Sequence, residues 1–350
     1  MSITPRQGRL LVSESFGKII PKMGSVVRGN MKLNSRSSAG MDRRAFIGGG
    51  LSAALLAGCL SARGVKGVTP KPTRRTIAVG AERSFRVLHA SDTHVALMDD
   101  FDRADASRAV YETMRPKTFG YHAEEYLVGT FGYARDEGIP LLHTGDLIDY
   151  IGKANLAAAK RAFAGADAMA CPGNHEWEYL LRVEDPPVMR PRYYDEVSAA
   201  FPNDMTVASR ILNGVNFVLL DNADYQVPPD RATRVEAEVK KGLPVVLCCH
   251  IPFETPDLRK RIYDRWRNPY SSGNCCQDES CFTGEHPINA AMRATRETRD
   301  FVAWMKAQPG IRAVLAGHQH FEASSRLTPT LTEYLAGGNY CGECTEITFT

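Results

Sequence analysis

Six short runs constrain this chain more than any other feature: FRVLHAS (85–91), IPLLHTG (139–145), DAMACPG (167–173), NFVLLD (216–221), LPVVLCC (243–249) and IRAVLAG (311–317). Each is a short, mainly apolar run rather than an alternating one, the pattern of a strand buried on both faces. Between several of them lie stretches with apolar positions at helical spacing, among them ADASRAVYETMR, NLAAAKRAFAGA and NAAMRATRETRDFVAWMKAQ. Strands alternating with helices predict an α/β fold rather than an all-β one. With 350 residues and 43% hydrophobic content, the chain can bury a full core in one large domain or two small ones. Residues 111–138 and 253–287 exceed ordinary connections and are expected to build the rim of whatever site exists.

Chemistry gathers where five of these runs end. FRVLHAS leads into Asp92-Thr93-His94, IPLLHT into Gly145-Asp146-Leu147-Ile148-Asp149, and DAMACP into Gly173-Asn174-His175-Glu176; LPVVLCC leads into His250, and IRAVLA into Gly317-His318-Gln319-His320. Each cluster alone has a plain reading as a helix cap, a turn or a hydrogen-bonded core histidine. Five in order, together holding five of the nine histidines, fit one metal-binding or proton-moving site better. In open α/β sheets the carboxyl ends of the strands share one edge, and ligands bind in the crevice there. His318 and His320, two apart on an extended segment, would look the same way, so a single shared ion is the first expectation for the pair.

The ordered set Asp-x-His, Gly-Asp-x-x-Asp, Gly-Asn-His-Glu, His and Gly-His-x-His resembles the calcineurin-like metallophosphoesterase superfamily over roughly residues 85–325, with every motif intact. The resemblance implies an α/β fold of the four-layer α/β/β/α sandwich type, with a two-metal site at the carboxyl ends of the strands. It further implies one metal held by Asp92, His94, Asp146 and His320 and a second held by Asp146, Asn174, His250 and His318, with Asp146 bridging. The two histidines of the last motif would then straddle the pair of ions. His175 would stand beside the metals with its imidazole oriented by Asp149, able to protonate a leaving alkoxide. In the purple acid phosphatase branch the first motif lacks its His and a Tyr replaces Asp149, so His94 and Asp149 set this chain apart from it.

The implied function is hydrolysis of phosphate monoesters or diesters, a metal-bridging hydroxide attacking phosphorus. Two divalent ions roughly 3.5 to 4 Å apart lower the pKa of a shared water and clamp an in-line transition state. Imidazole, carboxylate and amide ligands suit Mn, Fe, Zn or Co rather than Ca or Mg. The alternative is a non-catalytic metal-binding or interaction module, which would show as loss of the bridging carboxylate or of His175; both are present. The motifs handle only the phosphorus, so they leave the small-molecule or lipid-linked phosphate ester open. Tyr121, His122, Arg190, Arg192, Tyr193, Arg265, Trp266 and Arg267 are rim residues able to contact a leaving group, or else ordinary surface charge.

The N-terminal region accounts for the formal charge of +3. Residues 1–58 hold nine of the 43 Lys/Arg and two of the 40 Asp/Glu, leaving 34 basic against 38 acidic residues and no electrostatic footprint for nucleic acid. From Met41, a candidate start, MDRRAFIGGGLSAALLAGCLSA has an apolar core too short to span a bilayer. Arg43, Arg44 and Phe46 resemble a bacterial twin-arginine export signal, and Leu56-Ala57-Gly58-Cys59 resembles a lipoprotein cleavage site. The expectation is a leader over 1–58, a lipid on Cys59 with a tether over 59–76, and one catalytic domain over 77–350 facing the cell envelope. Leu60, rather than Asp, after the cysteine favours the outer membrane. In an oxidising location Cys275, Cys276, Cys281, Cys341 and Cys344 are expected as disulfide staples, which suit that compartment better than a zinc knuckle on Cys341-x-x-Cys344. Cys248 and Cys249 read as inert core thiols.

Overall fold

A computed structural model describes residues 64–178, 186–266 and 293–350. The arginine pair, Cys59, Arg267, Cys275, Cys276 and Cys281 lie outside the described residues. Eleven described strands, numbered in chain order, form two sheets. The first runs β1 (Thr73–Ile77), β11 (Thr345–Phe349), β2 (Phe85–Ala90), β3 (Leu141–Thr144), β4 (Ala168–Cys171); the second runs β5 (Val207–Leu212), β6 (Val215–Leu220), β7 (Val245–Cys248), β8 (Ile311–Ala316), β10 (Thr332–Leu335), β9 (Ala323–Arg326). All six apolar runs are strands, and β2, β3 and β4 pair in parallel, as do β6, β7 and β8.

Their unbroken apolar character has a direct cause: both faces of each sheet are covered. Val87, Leu142, Met169, Phe217, Leu219, Val246, Cys248 and Leu315 point between the sheets, where Phe217 meets Phe85 at 6.1 Å and Phe349 at 5.2 Å between ring centroids. Their neighbours one position along, such as Leu88, Leu141, Val218, Val245, Leu247 and Val314, face outward under helices, as the two-residue period of a strand requires. Residues 104–115, whose spacing predicts one helix, are instead broken into turns: α1 (Asp100–Arg103) and α2 (Ala106–Ala109) precede α3 (Tyr111–Phe119). Then α4 (Ala123–Asp136) and α5 (Lys153–Phe163) lay Leu127, Phe131, Ala158, Ala159 and Ala162 on the first sheet. Next, α6 (Pro186–Ser198) stacks Tyr194 on Trp177 at 6.0 Å. On the second sheet, α7 (Pro229–Val239), α8 (Pro256–Trp266) and α9 (Arg296–Ala307) supply Val235, Leu258, Ile262, Phe301, Val302 and Met305. The layers are α/β/β/α, as expected.

Three expectations need correction. Residues 111–138 are two helices rather than a long connection. The segment read as a tether is folded before its end: Val68 N–H donates to Glu125 O at 3.0 Å, and Thr73–Ile77 pairs in parallel with β11. Gly67 makes that docking possible, because a Cβ there would sit 2.7 Å from the backbone nitrogen of Gly129. Cys341 and Cys344 are free thiols rather than staples. Cys248 and Cys249 are buried and free, and burial pushes the Cys248 thiol well above its ordinary pKa. Among the described residues no helix is long and apolar enough to cross a membrane.

One core position makes stability depend on pH. Glu333 of β10 is fully buried; Oε1 accepts Phe253 N–H at 2.8 Å, and Oε2 has no partner. Burial pushes its pKa from 4.5 up to about 8, against the pull of that N–H and of Lys306. An acid that binds its proton more tightly when folded loses stability as pH rises, here between about 4.5 and about 8. Glu333→Gln, which copies the protonated form, should melt with the wild type at pH 5 and several degrees above it at pH 8.5. Melting curves that stay together at both pH values would count against this assignment.

Candidate metal centre

The carboxyl ends of the two sheets are tied together by the residues that end them. Asp92, after β2, accepts His318 N–H from the end of β8 at 2.9 and 3.1 Å. His250, after β7, approaches Thr144 O of β3 with Nδ1 at 2.7 Å; the carbonyl can only accept, so Nδ1 carries the proton and Nε2 faces the site. Aiming these side chains inward takes unusual backbone: φ is 56° at Asp92, 50° at His94, 54° at Asp146, 70° at His318 and 56° at His320. Left-handed non-glycine residues cost of order 1–3 kcal/mol each and persist where surrounding contacts over-determine them. The glycines of the motifs permit the close approach. A Cβ on Gly145 would lie 2.6 Å from Gly173 N and His250 Nδ1, and one on Gly173 would collide with the Asp146 carboxylate.

Among the described residues three groups of ligand atoms lie within 4.8 Å of one another, His94, Asp149 and His175 being one of them, and the remaining two share Asp146. One is Asp92, His94, Asp146 and His320; the other is Asp146, His250 and His318. Asn174 is tied to this constellation through the main chain, the N–H of the next residue, His175, donating to Asp146 Oδ1 at 2.9 Å. Six of the seven candidate ligands named from the sequence fall in these two groups, with His318 and His320 in different ones.

The donor chemistry suits transition-metal ions. His94 Nε2 lies 3.1 Å from His320 Nε2, and His318 Nδ1 lies 3.2 Å from His250 Nε2. Paired ring nitrogens at that spacing share either a proton or a cation, and nitrogens bound to one ion at about 2.0–2.1 Å would sit about as far apart. Asn174 Oδ1 is buried with no partner, while its Nδ2 donates to Glu178 Oε1 at 2.9 Å. Glu178 thus fixes which way the amide faces, leaving the free oxygen as a donor for a metal. Burial pushes His94 down to about 4 and His318 to about 3, keeping both in the neutral, ligating form. For His250 burial also opposes charge, but Asp146 Oδ2 at 3.1 Å outweighs it and raises the pKa to about 9. Burial works against the Asp92 and Asp146 carboxylates too, and histidines overcome it: His320 foremost at Asp92 and His250 at Asp146, holding both below their ordinary range. The pocket calls for positive charge.

The structure refines the expected role of Asp149. Its carboxylate does lie near His175, with Oδ1 3.4 Å from Nδ1, but the closer partner of Nδ1 is the Asp149 main-chain carbonyl at 2.7 Å. Asp149 Oδ1 instead accepts from His94 Nδ1 at 3.1 Å. Two neighbours escaped the sequence reading. Glu176 appeared there only as a motif letter, yet its carboxylate accepts the N–H groups of Asp146, Leu147 and Gly173 at 2.6 to 2.8 Å and of Ile148 at 3.1 Å. Burial and nearby Asp146 push its pKa up to about 7. Arg115 of α3 forms a two-pronged ion pair with Asp149, with Nη2 to Oδ1 at 2.6 Å.

The rim residues divide. Arg190 is not free for substrate, because it pairs with Asp221 at 3.0 Å and Asp224 at 2.9 Å over the Trp177 ring. Arg192 lies over Tyr193, His122 pairs with Glu125 at 2.8 Å, and Tyr121 is exposed. Trp266, carrying Arg265 over its face, reaches the site, its ring 6.2 Å from that of His320. Phe119 and Tyr340, neither of them foreseen, also line that side; their rings are 5.6 and 5.3 Å from His320.

Such a double ligand set at the strand ends of a two-sheet α/β sandwich could hold two metal ions. The chain belongs to the calcineurin-like phosphoesterase family, whose sequence profile matches residues 85–322. A search of curated proteins finds no match. Among solved structures the chain is similar to a dimetal phosphatase from Danio rerio, at 12% identity over 73% of this chain and 88% of that one, with a TM-score of 0.42. It is also similar to the phosphopantetheinyl hydrolase of Mycobacterium tuberculosis, at 10% identity over 75% of this chain and 91% of that one, TM-score 0.37. A third similarity is to a 5'-nucleotidase from Candida albicans, at 12% identity over 78% of this chain, TM-score 0.35, and there the chain spans only 47% of the nucleotidase.

Because His318 and His320 belong to different ligand groups, their loss should be separable. Calorimetric titration with Mn²⁺ should show two binding steps in the wild type, and His318→Ala and His320→Ala should each weaken a different one. Loss of the same step in both variants would return the pair to a single shared ion.

Proposed function

We propose that this chain is a phosphate-ester hydrolase working at a two-metal centre in the cell envelope. The observation that carries the catalytic part is the pair of ligand groups sharing Asp146, with His175 Nε2 4.0 Å from Asp146 Oδ2 and no place in either group. Asp92, His94, Asp146 and His320 would hold one ion; Asp146, Asn174, His250 and His318 would hold the other. Ions bound there would neutralise phosphate oxygens and make water a nucleophile near neutral pH. Mn, Fe, Zn or Co fit the mixed nitrogen and oxygen donors.

The chain's own part is to hold and move a proton. His175 Nδ1–H donates to Asp149 O, which fixes the ring and leaves Nε2 turned towards the cluster. Burial opposes a charged His175, but Glu178, Asp146 and Asp149 outweigh it and raise its pKa. A protonated Nε2 beside the cluster is a general acid for the departing alkoxide, worth about 10²- to 10⁴-fold. Export rests on the twin-arginine and lipoprotein-type motifs of the leader. It would make nucleotides, phosphosugars, lipid phosphates and phosphoproteins the accessible substrates.

The test is a panel of phosphomonoesters, diesters and nucleotide pyrophosphates, assayed with Mn, Zn, Fe and Co on protein beginning after Cys59. Turnover of at least one class is expected. Asp146→Asn should abolish it and release metal. His175→Ala should keep both metals and slow substrates with poor leaving groups by about 10²- to 10⁴-fold. A wild type inert on every class would favour a binding module, and full activity of His175→Ala on a poor leaving group would remove the general-acid role.

A further inference from the structure

We propose that Arg115 is a positioning residue for the metal ion on the His94 side, acting through Asp149; the inference rests on the two-metal reading above. A run of contacts carries it. Arg115 reaches both oxygens of Asp149, whose side chain is fully buried. A two-pronged guanidinium pair fixes the plane of a carboxylate as well as its charge. In that plane Oδ1 accepts from His94 Nδ1 at 3.1 Å. An ionised carboxylate can only accept, so the proton of His94 is on Nδ1 and the lone pair on Nε2, which faces His320 Nε2 at 3.1 Å within the Asp92, His94, Asp146 and His320 group. The other face of the arrangement comes from the same helix one turn on. Phe119 lies flat on the His94 ring at 3.8 Å and 4°, and the Arg115 guanidinium covers Phe119 at 4.7 Å. Helix α3 thus holds His94 by its edge, through Asp149, and by its face, through Phe119.

The hydrogen bonds of this clamp lead to the His94 group. Asp149 lies outside the Asp146, His250 and His318 group, and His175 Nδ1–H donates to the Asp149 main-chain carbonyl at 2.7 Å, closer than the clamped carboxylate. Arg115 also pairs with both Asp149 oxygens, so in the nearby set of His94, Asp149 and His175 the carboxylate already faces a guanidinium and the Nδ1–H of His94.

The experiment is calorimetric Mn²⁺ titration of the full chain, with Arg115→Ala, Arg115→Lys, Asp149→Asn and the Arg115→Ala/Asp149→Asn pair, the two steps being assigned by His318→Ala and His320→Ala. Arg115→Ala should weaken the step lost in His320→Ala by about 10- to 100-fold, the range for outer-shell partners of metal ligands, and leave the other step in place. Arg115→Lys, a point charge without the fork, should recover part of the loss. In the Asp149→Asn background Arg115→Ala should add little, because both changes remove the same restraint. Wild-type affinity for both ions in folded Arg115→Ala, equal weakening of both steps, or full additivity with Asp149→Asn would each overturn the proposal. If Arg115→Ala does not fold, the Lys variant and its pairing with Asp149→Asn decide alone. A wild type that binds no pair of ions would instead refute the underlying reading.

Discussion

Asp146 is held from three sides: its N–H donates to Glu176 at 2.8 Å, its Oδ1 accepts from His175 N–H at 2.9 Å, and its Oδ2 faces His250 Nε2 at 3.1 Å. A buried carboxylate is costly unless positive charge and hydrogen bonds meet it. That requirement explains much of what surrounds it. Asp146 follows a glycine with no room for a side chain, sits in left-handed backbone, and draws imidazoles from the ends of strands in both sheets. The fold's task is to bring those strand ends together, and the inter-sheet core around Phe217, Phe349 and Leu142 does so.

Around this node the site is layered by contact. Glu176 ties the turn after β3 to the turn after β4 through four backbone N–H groups. Glu178 sets the Asn174 amide, Asp149 sets His94, and Thr144 O sets His250. Each donor is aimed by a neighbour that does not itself face the cluster, the arrangement expected where metal ligands need a fixed tautomer and direction. Helix α3 adds the outermost restraint through Arg115 and Phe119.

Much of this was legible in the sequence, and the reasons for the rest are specific. Strands buried on both faces announce themselves as apolar runs, so β2, β3, β4, β6, β7 and β8 were readable. By contrast β1 (TRRTI), β9 (ASSR) and β10 (TEYL) are short and polar, and they are strands because neighbours supply the ladder. The family pattern assigned His318 and His320 to different ligand sets, and the geometry groups them separately, where the same-face argument alone suggested one shared ion. Arg115 was invisible because its partner Asp149 is 34 residues away and its helix, with Pro116 inside it, has no clear apolar face. Arg190 misled in the opposite way: an arginine on the rim by position is half-buried in a network with Asp221, Asp224 and Arg231.

The central claim is that these residues form two adjoining cation sites sharing one carboxylate. Anomalous X-ray diffraction from Mn²⁺-loaded crystals tests it directly. Two peaks bridged by Asp146 are expected, one enclosed by Asp92, His94 and His320 and the other by Asn174, His250 and His318. A single peak, or peaks away from Asp146, would contradict it.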